Sequence, residues 1–567
     1  MRVPLLALFA AFSLGACSTV SGPSGTGPPG VVSAADPRAA EAGAAILRQG
    51  GSATDAALAT LLALTVVEPQ SSGIGGGGFL VTSDARGAVD TFDGREEAPS
   101  AATPDWFLKD GVAMTPREAV PGGRSVGVPG NLRMMELAHR THGKVPWRVL
   151  FDPAIALARD GFTISRRMRR MLDGARSTGA LSAKGRGLFY APDGEPLPVG
   201  TRVRNPRLAD FLASLAARGP DSFYVGPNAA AIAATVSTAP RNPAPMRTGD
   251  LASYDARQRD AVCGTYRGYR ICGMGPPSSG GTTVFAILKQ VERFDLAALG
   301  PASPQAWHLI AESMRLAYAD RDKFLADTDH VPVPVAGLID PSYLAQRSAL
   351  IAVDRTISTV AAGNPAGARA VAVSPQPLEQ GTSHFVATDR AGNVASLTST
   401  IESIFGSGLM VNGYYLNNEL TDFNFVPFVD GRLVANRVEA GKRPRSSMAP
   451  TIIFSPDGRV RMAIGAAGGA TIIAQVAKAI IGVIDWRLSA QAAIALPVLF
   501  SPGDTVYVEQ GTTHEAMIPA LVALGHKVAR RDPGYKANAV EWVADAGGQG
   551  RWVGAADPRS EGASVGE

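Results

Sequence analysis

Cysteine is scarce in this chain: three residues in 567, at positions 17, 263 and 272. That count excludes a disulfide-rich scaffold and a cysteine-built zinc site. Histidine is scarce as well. The seven present form no H-E-x-x-H string and no cysteine–histidine cluster, and His139 and His142, three apart on an expected helix, have no third ligand nearby. The expectation is therefore no metal and no other cofactor. An excess of one charge is missing too: 54 Lys+Arg against 50 Asp+Glu leave +4, which gives no reason to expect nucleic acid as a partner. The N-terminal apolar run, residues 4–13, is too short to cross a bilayer. There is no internal repeat.

What is present is ordinary for a globular protein: 46% hydrophobic residues, 18% charged, and many glycines and prolines that imply tight turns. The first 17 residues differ. Arg2, the apolar run and Leu14-Gly15-Ala16-Cys17 read as a cleaved export signal, which predicts a periplasmic or cell-envelope location. The tetrapeptide resembles a bacterial lipoprotein box, which implies a lipid on Cys17 as the only membrane attachment; plain secretion with an incidental cysteine is the other reading. Residues 18–33, rich in Ser, Gly and Pro, are expected to be a flexible tether. Cys263 and Cys272 bracket a hairpin-like G-T-Y-R-G-Y-R-I and fall opposite each other at a non-hydrogen-bonded pair. A disulfide and two free buried cysteines both remain open.

Local signals order the chain. Asp36-Pro37 opens a helix that Gly50-Gly51 ends, and Ser52-x-x-Asp55 opens a second through Val67. Gly73, Gly75 and Gly78 satisfy G-x-G-x-x-G, but they follow a helix and lead into a strand, the reverse of a dinucleotide site. Gly123–Gly127 and Gly562–Gly566 match a serine-nucleophile elbow, yet the first is followed by Val128-Pro129-Gly130 and the second ends the chain, so both read as turns. The basic run 166–170 reads as a solvated face. Ser303-Pro304 caps a long helix with Trp307, Ile310, Met314 and Tyr318 in one stripe. Two strand-like runs, 384–388 and 394–400, flank a turn at 389–393, and Gly381-Thr382 stands at their head.

Eight motifs then occur in a recognisable order: E-P-Q-S-S-G-I-G-G-G-G-F at 68–79, F-D-G-R-E-E-A-P at 92–99, P-P-S-S-G-G at 276–281, G-T-S-H-F at 381–385, L-T-S-T at 397–400, N-N-E-L-T-D at 417–422, K-R-P-R-S-S-M at 442–448 and G-A-A-G-G at 465–469. Together they resemble the gamma-glutamyltransferase family of N-terminal nucleophile hydrolases, from about residue 34 to the C-terminus. The resemblance implies an α+β fold, a four-layer αββα sandwich. It implies a precursor cut between Gly381 and Thr382 into a large subunit, 34–381, and a small subunit, 382–567, that stay associated. Thr382 would be the nucleophile and Thr400 its hydrogen-bonding support. Gly468 and Gly469 would offer backbone N–H groups to an oxyanion. Arg95 would bind the substrate α-carboxylate beside Ser446 and Ser447, with Asp422 and Glu419 opposite it on the α-amino group.

The chemistry agrees with the residue types. A threonine hydroxyl needs a base, and the α-amine freed by a cut at 381/382, with a pKa near 7.7–8.0, is partly neutral at pH 7. Three features depart from the family pattern. Glu402 stands where an asparagine is common, and as a third carboxylate beside Glu419 and Asp422 it favours a shared proton. Ala466-Ala467 replaces Ser-Pro, and G-G-A-T replaces G-G-S-R. The expected activity is γ-glutamyl transfer from glutathione or related compounds to water, amino acids or peptides. The rivals are a glutaryl-type amide acylase of the same superfamily, a non-catalytic surface-binding lipoprotein, and a serine hydrolase using Ser125.

Overall fold

The computed structural model describes residues 27–373, 381–532, 534–545 and 549–567. Cys17, the export signal and most of the expected tether lie outside them. Two antiparallel sheets form the centre. The first runs Ala563–Gly566, Val31–Ala34, Ser383–Thr388, Val394–Thr400, Gly77–Ser83, Val89–Gly94 and Arg257–Gln258. The second runs Gly550–Ala556, Lys536–Ala544, Val460–Ala467, Thr451–Phe454, Tyr269–Gly273 and Val262–Tyr266.

Side chains alternate across each strand, and the first sheet divides its residues between two cores. Phe385, Ala387, Leu397 and Leu80 pack with Leu58, Leu61 and Leu62 of the helix Ala53–Val67. Val386, Phe79 and Val81 pack with Ile452, Met462 and Ile464 of the second sheet, and this core continues into the helices Gly280–Val291, Pro304–Phe324 and Thr471–Ile484. The layers are helix, sheet, sheet, helix: the expected α+β sandwich. Each sheet takes strands from both sides of residue 382, so the two halves of the chain share both sheets.

The capped helices form where their signals stand. Pro37–Arg48 carries Asp36 at its N-cap, and Ala53–Val67 carries a Ser52–Asp55 capping box. Cys263 and Cys272 face each other in register and are bonded. Two expectations are corrected. The tether does not reach residue 33, because Val31–Ala34 is a strand paired with 563–566 on one side and 383–388 on the other, with Val32 buried. The basic run is not wholly solvated: it lies on the helix Arg166–Gly174, and Arg167 turns inward to within 4.0 Å of Glu68. Among the described residues no helix is long and apolar enough to cross a membrane.

Candidate active site

Thr382 immediately precedes the strand Ser383–Thr388, between the two sheets' cores, and is 5% exposed. Its φ of 109° is a conformation that a β-branched residue adopts only under constraint. The constraint is visible. Its N–H donates to Ser71 O at 3.1 Å, and its Oγ1 donates to Thr400 Oγ1 at 3.1 Å. Thr400 Oγ1 also accepts the Glu402 N–H at 2.8 Å. Gly381 lies so close to the Glu402 carbonyl that a Cβ there would stand 1.8 Å from the oxygen. The glycine before the junction is required by packing.

Ser71 is in place because the helix Ala53–Val67 stops at Glu68 and turns, with Ser71 N–H donating to Glu68 O at 2.9 Å. The same turn grips the next residue of the strand. Ser383 Oγ donates to Glu68 Oε2 at 2.6 Å, and Lys536 Nζ donates to both groups, at 2.8 Å and 3.1 Å. Burial pushes the Lys536 ammonium down to about 8, although Glu68 beside it favours the charged form. Sequence motifs marked Glu68 only as part of a string, and nothing local marks Lys536.

From Thr400 a second chain of contacts leads through Glu402 to a buried charge cluster. Asn418 Nδ2 donates to Glu402 Oε2, and the 3-10 turn Glu419–Asp422 follows directly. Arg95, at the end of the strand Val89–Gly94, reaches this turn with both terminal nitrogens: Nη1 pairs with Glu419 and Nη2 with Asp422. Its Nε donates to Pro444 O at 3.0 Å and its Nη2 to Arg445 O at 3.1 Å. Those carbonyls directly precede Ser446 and Ser447, both buried against the 276–281 segment. Ser279 N–H donates to Ser446 O at 2.7 Å, and Arg321 Nη2 donates to Ser447 Oγ at 2.7 Å. The expected residues are thus brought together, with one geometric correction. Arg95 does not stand opposite Glu419 and Asp422 across a gap; it touches both, because buried opposite charges pair.

Four carboxyl groups surround that one guanidinium. Glu96, which sequence reasoning passed over although it directly follows Arg95, lies 3.9 Å from Nη1 and faces the Glu419 carboxyl. Burial pushes Glu96 up to about 8 against the pull of Arg95. Burial, with the Asp422 charge, pushes Glu402 up to about 8 as well. Burial also raises Glu419 well above the usual carboxylate range, opposed by Arg95. Burial and the crowding of like charges thus favour the protonated form of the carboxyls in this cluster.

Gly468 and Gly469 follow the strand Val460–Ala467 and precede the helix Thr471–Ile484, at φ of 120° and 58°. Both values fall in the region that favours glycine. Ala467 pairs with Lys536 in the sheet, so Lys536 links Gly468's strand to Ser383. A cavity of about 700 Å³ opens there, lined by Gly468, Thr471, Ile404 and several arginines.

The alternative candidates disperse. Ser125 Oγ donates to Val120 O and Gly122 O, at 2.7 Å and 3.1 Å. His139 bonds Val145 O, whereas His142 lies 3.0 Å from Asp90. Gly73–Gly78 runs from the end of one helix into the strand Gly77–Ser83.

An αββα sandwich that opens a central strand on a glycine–threonine junction defines the N-terminal nucleophile hydrolase class. Residues 39–567 match the family model described as Gamma-glutamyltranspeptidase, and the chain belongs to that family. It is 37% identical over 552 residues to the glutathione hydrolase proenzyme of Bacillus subtilis (strain 168), covering 95% of this chain and 92% of that one. It is 36% identical to the acylase ACY 1 proenzyme of Pseudomonas sp. (strain V22), covering 89% and 88%. The crystal structure of cephalosporin acylase from Bacillus halodurans aligns with a TM-score of 0.83 at 25% identity, covering 99% of each chain.

Proposed function

We propose that this protein is an autoprocessed γ-glutamyl transferase and hydrolase acting on glutathione or related γ-glutamyl compounds. The observation that carries the reading is the contact chain from Thr382 through Thr400 and Glu402 to the Arg95–Glu419–Asp422 cluster. It sets a nucleophile beside groups able to read a zwitterion. A donor's α-carboxylate takes the Arg95 fork, and its α-ammonium takes Glu419 and Asp422, so buried ion pairs are exchanged for pairs of the same kind.

Maturation follows from the junction. Thr382 Oγ attacks the Gly381 carbonyl, the acyl group shifts from nitrogen to oxygen, and water hydrolyses the ester. The freed α-amine of Thr382 then serves as base for its own hydroxyl. In turnover the same oxygen attacks the donor's γ-carbonyl, and the Gly468 and Gly469 N–H groups receive the oxyanion. One such donor is worth roughly 10²–10³ in rate. The acyl group passes to water or to an amine. Export, and a lipid on Cys17, rest on residues 1–17 alone.

The acylase relatives support a second reading, hydrolysis of glutaryl-type amides, which has no α-ammonium to bind. The test is a denaturing gel with N-terminal sequencing, then assays on γ-glutamyl and glutaryl amides. The expected result is a fragment beginning Thr-Ser-His-Phe, absent in Thr382→Ala. Asp422→Asn should abolish γ-glutamyl turnover; equal loss on glutaryl amides would count against the zwitterion pocket. An uncut chain that still turns over donors would overturn the mechanism.

A further inference from the structure

The cavity beside Gly468 carries more charge than acyl transfer alone uses. Arg167, Arg170, Arg531 and Arg559 line it, and Asp532 is the one acid among its described lining residues. Not all four arginines are committed to the fold. Arg559 is engaged, at 2.7 Å from both Asp557 and Glu509. The others have capacity left. Arg167 is about nine-tenths buried, its Nε lies 4.0 Å from Glu68 and makes no hydrogen bond, and its backbone N–H donates to Glu561 Oε1 at 3.0 Å. Arg531 Nη1 is buried without a partner. Arg170 is exposed and forms no ion pair among the described residues. Tyr535 also lines the cavity; it is 2% exposed, and its hydroxyl makes no hydrogen bond. Buried donors left unsatisfied are uncommon in folded proteins and mark places where a further acceptor belongs. Here three such residues, Arg167, Arg531 and Tyr535, line one volume.

Position gives that volume a role. Two contact chains diverge from Thr382. One runs through Thr400 and Glu402 to Arg95 and takes the α-end of a donor. The other runs through Ser383 and Glu68 to Arg167 at the cavity wall, where Gly468 and Ile404 also stand. The half of the donor beyond the scissile amide must extend away from the Arg95 cluster, and this cavity adjoins the glycine pair.

We propose that the cavity is the leaving-group and acceptor subsite, and that Arg170, Arg531 and Tyr535 select amines bearing two or more carboxylates: acidic amino acids or short acidic peptides. The inference rests on acyl-Thr382 as the intermediate. In transfer, the bound amine nitrogen attacks the acyl carbon, the amide C–N bond forms, the ester C–O bond breaks, and the amine proton returns to Thr382 Oγ. Guanidinium forks match carboxylates in geometry and charge. Burial pushes the Tyr535 phenol up to about 12, so it remains a donor at working pH. A concave site with four cations and one acid also draws polyanions towards it.

The test compares two donors with the same γ-glutamyl end: γ-glutamyl-glutamate, whose leaving group carries two carboxylates, and γ-glutamyl-methylamide, whose leaving group carries none. Wild-type kcat/KM should favour the acidic donor by about 10-fold or more, as expected for a charge-assisted hydrogen bond, and salt should shrink the ratio. Arg531→Gln and Arg170→Gln should each cut that ratio several-fold, and Tyr535→Phe by less. A second readout needs no turnover. Titration calorimetry of the matured protein with α-linked aspartyl-glutamate, which has no γ-glutamyl bond, should give binding that Arg531→Gln and salt weaken. Equal kcat/KM for both donors overturns the proposal, as does aspartyl-glutamate binding that is absent or indifferent to Arg531→Gln. If Thr382→Ala still turns over donors, the acyl-threonine reading fails, and the calorimetric result still decides the subsite.

Discussion

Lys536 and Glu68 form an ion pair at 2.8 Å, one residue behind the nucleophile and joined to it through Ser383. The two residues lie 468 positions apart, on opposite sides of the 381/382 junction, and both are almost fully buried. Such a pair contributes little net stability, but losing one partner leaves a buried charge alone. Lys536→Met should therefore cost about 3 kcal/mol in urea unfolding and slow the appearance of the cut fragment. The double variant Glu68→Gln/Lys536→Met should recover part of that stability. A double variant as unstable as the sum of the two singles would show that the residues do not act as a pair.

Gly381 faces a different demand. A methyl group there meets the Glu402 carbonyl at 1.8 Å, so the chain must shift at the bond to be cut. Strain of about 1–3 kcal/mol corresponds to roughly 5–160-fold in rate. Gly381→Ala should slow maturation by that factor, read as the fraction of cut chain over time on a denaturing gel. Cutting at the wild-type rate would remove the packing argument.

Much of this was legible because the signals are local. Asp36-Pro37 and Ser52-x-x-Asp55 cap helices wherever they fold, and the turn at 389–393 fixes the register of the two strands that present Thr382 and Thr400. The illegible parts depend on distant partners. Val31–Ala34 becomes a strand by pairing with 563–566, and V-V-S-A after a Gly/Pro stretch does not announce that. Lys536 has no motif around it. Arg167 sits in a run that looks solvated, and only the fold turns one member of it inward. Glu96 directly follows Arg95, but nothing in R-E-E-A-P tells which glutamate turns towards the guanidinium; its 3.9 Å approach to Arg95 comes from the fold. Arg95 follows directly on the strand Val89–Gly94, where the sequence expects a strand end, but its direct contact with Glu419 and Asp422 follows from burial, which sequence does not display.

Acid should destabilise the fold through its histidines. His384 is fully buried, with Nδ1 2.8 Å from Thr398 Oγ1, and burial lowers it from 6.5 to about 3. His514 falls to about 4, through burial and the nearby Lys478. Both are neutral when folded and protonate at about 6.5 when unfolded, so between those values the unfolded chain binds more protons. Stability present above pH 6.5 is lost as pH falls towards 4 and 3, by up to about 1.4 kcal/mol per pH unit for each histidine. The raised carboxyls around Arg95 act with the opposite sign over the same window, so the test is a difference: the Tm of wild type relative to His384→Gln should fall between pH 6.5 and 4.5, and a constant difference would mean that this ring reaches water.

Glu402 acts with the opposite sign. Its folded value is raised from 4.5 to about 8 by burial and then by the Asp422 charge, so the folded chain binds more protons than the unfolded one between those limits. The stability this confers is complete below pH 4.5 and is lost as pH rises through 8. Glu402→Gln keeps the shape of the protonated side chain and removes the titration. The Asn418 amide, which donates to this carboxyl, still meets a carbonyl oxygen. The variant should therefore gain Tm relative to wild type as pH rises from 5 to 8.5, with little difference at the acidic end. Glu96 has the same sign in the same cluster, so part of the alkaline loss should remain in Glu402→Gln and disappear only when Glu96→Gln is added. A Tm difference that stays constant across the range would mean that Glu402 is already ionised at pH 5, and that Asp422 and Glu419 share their guanidinium with a third negative charge.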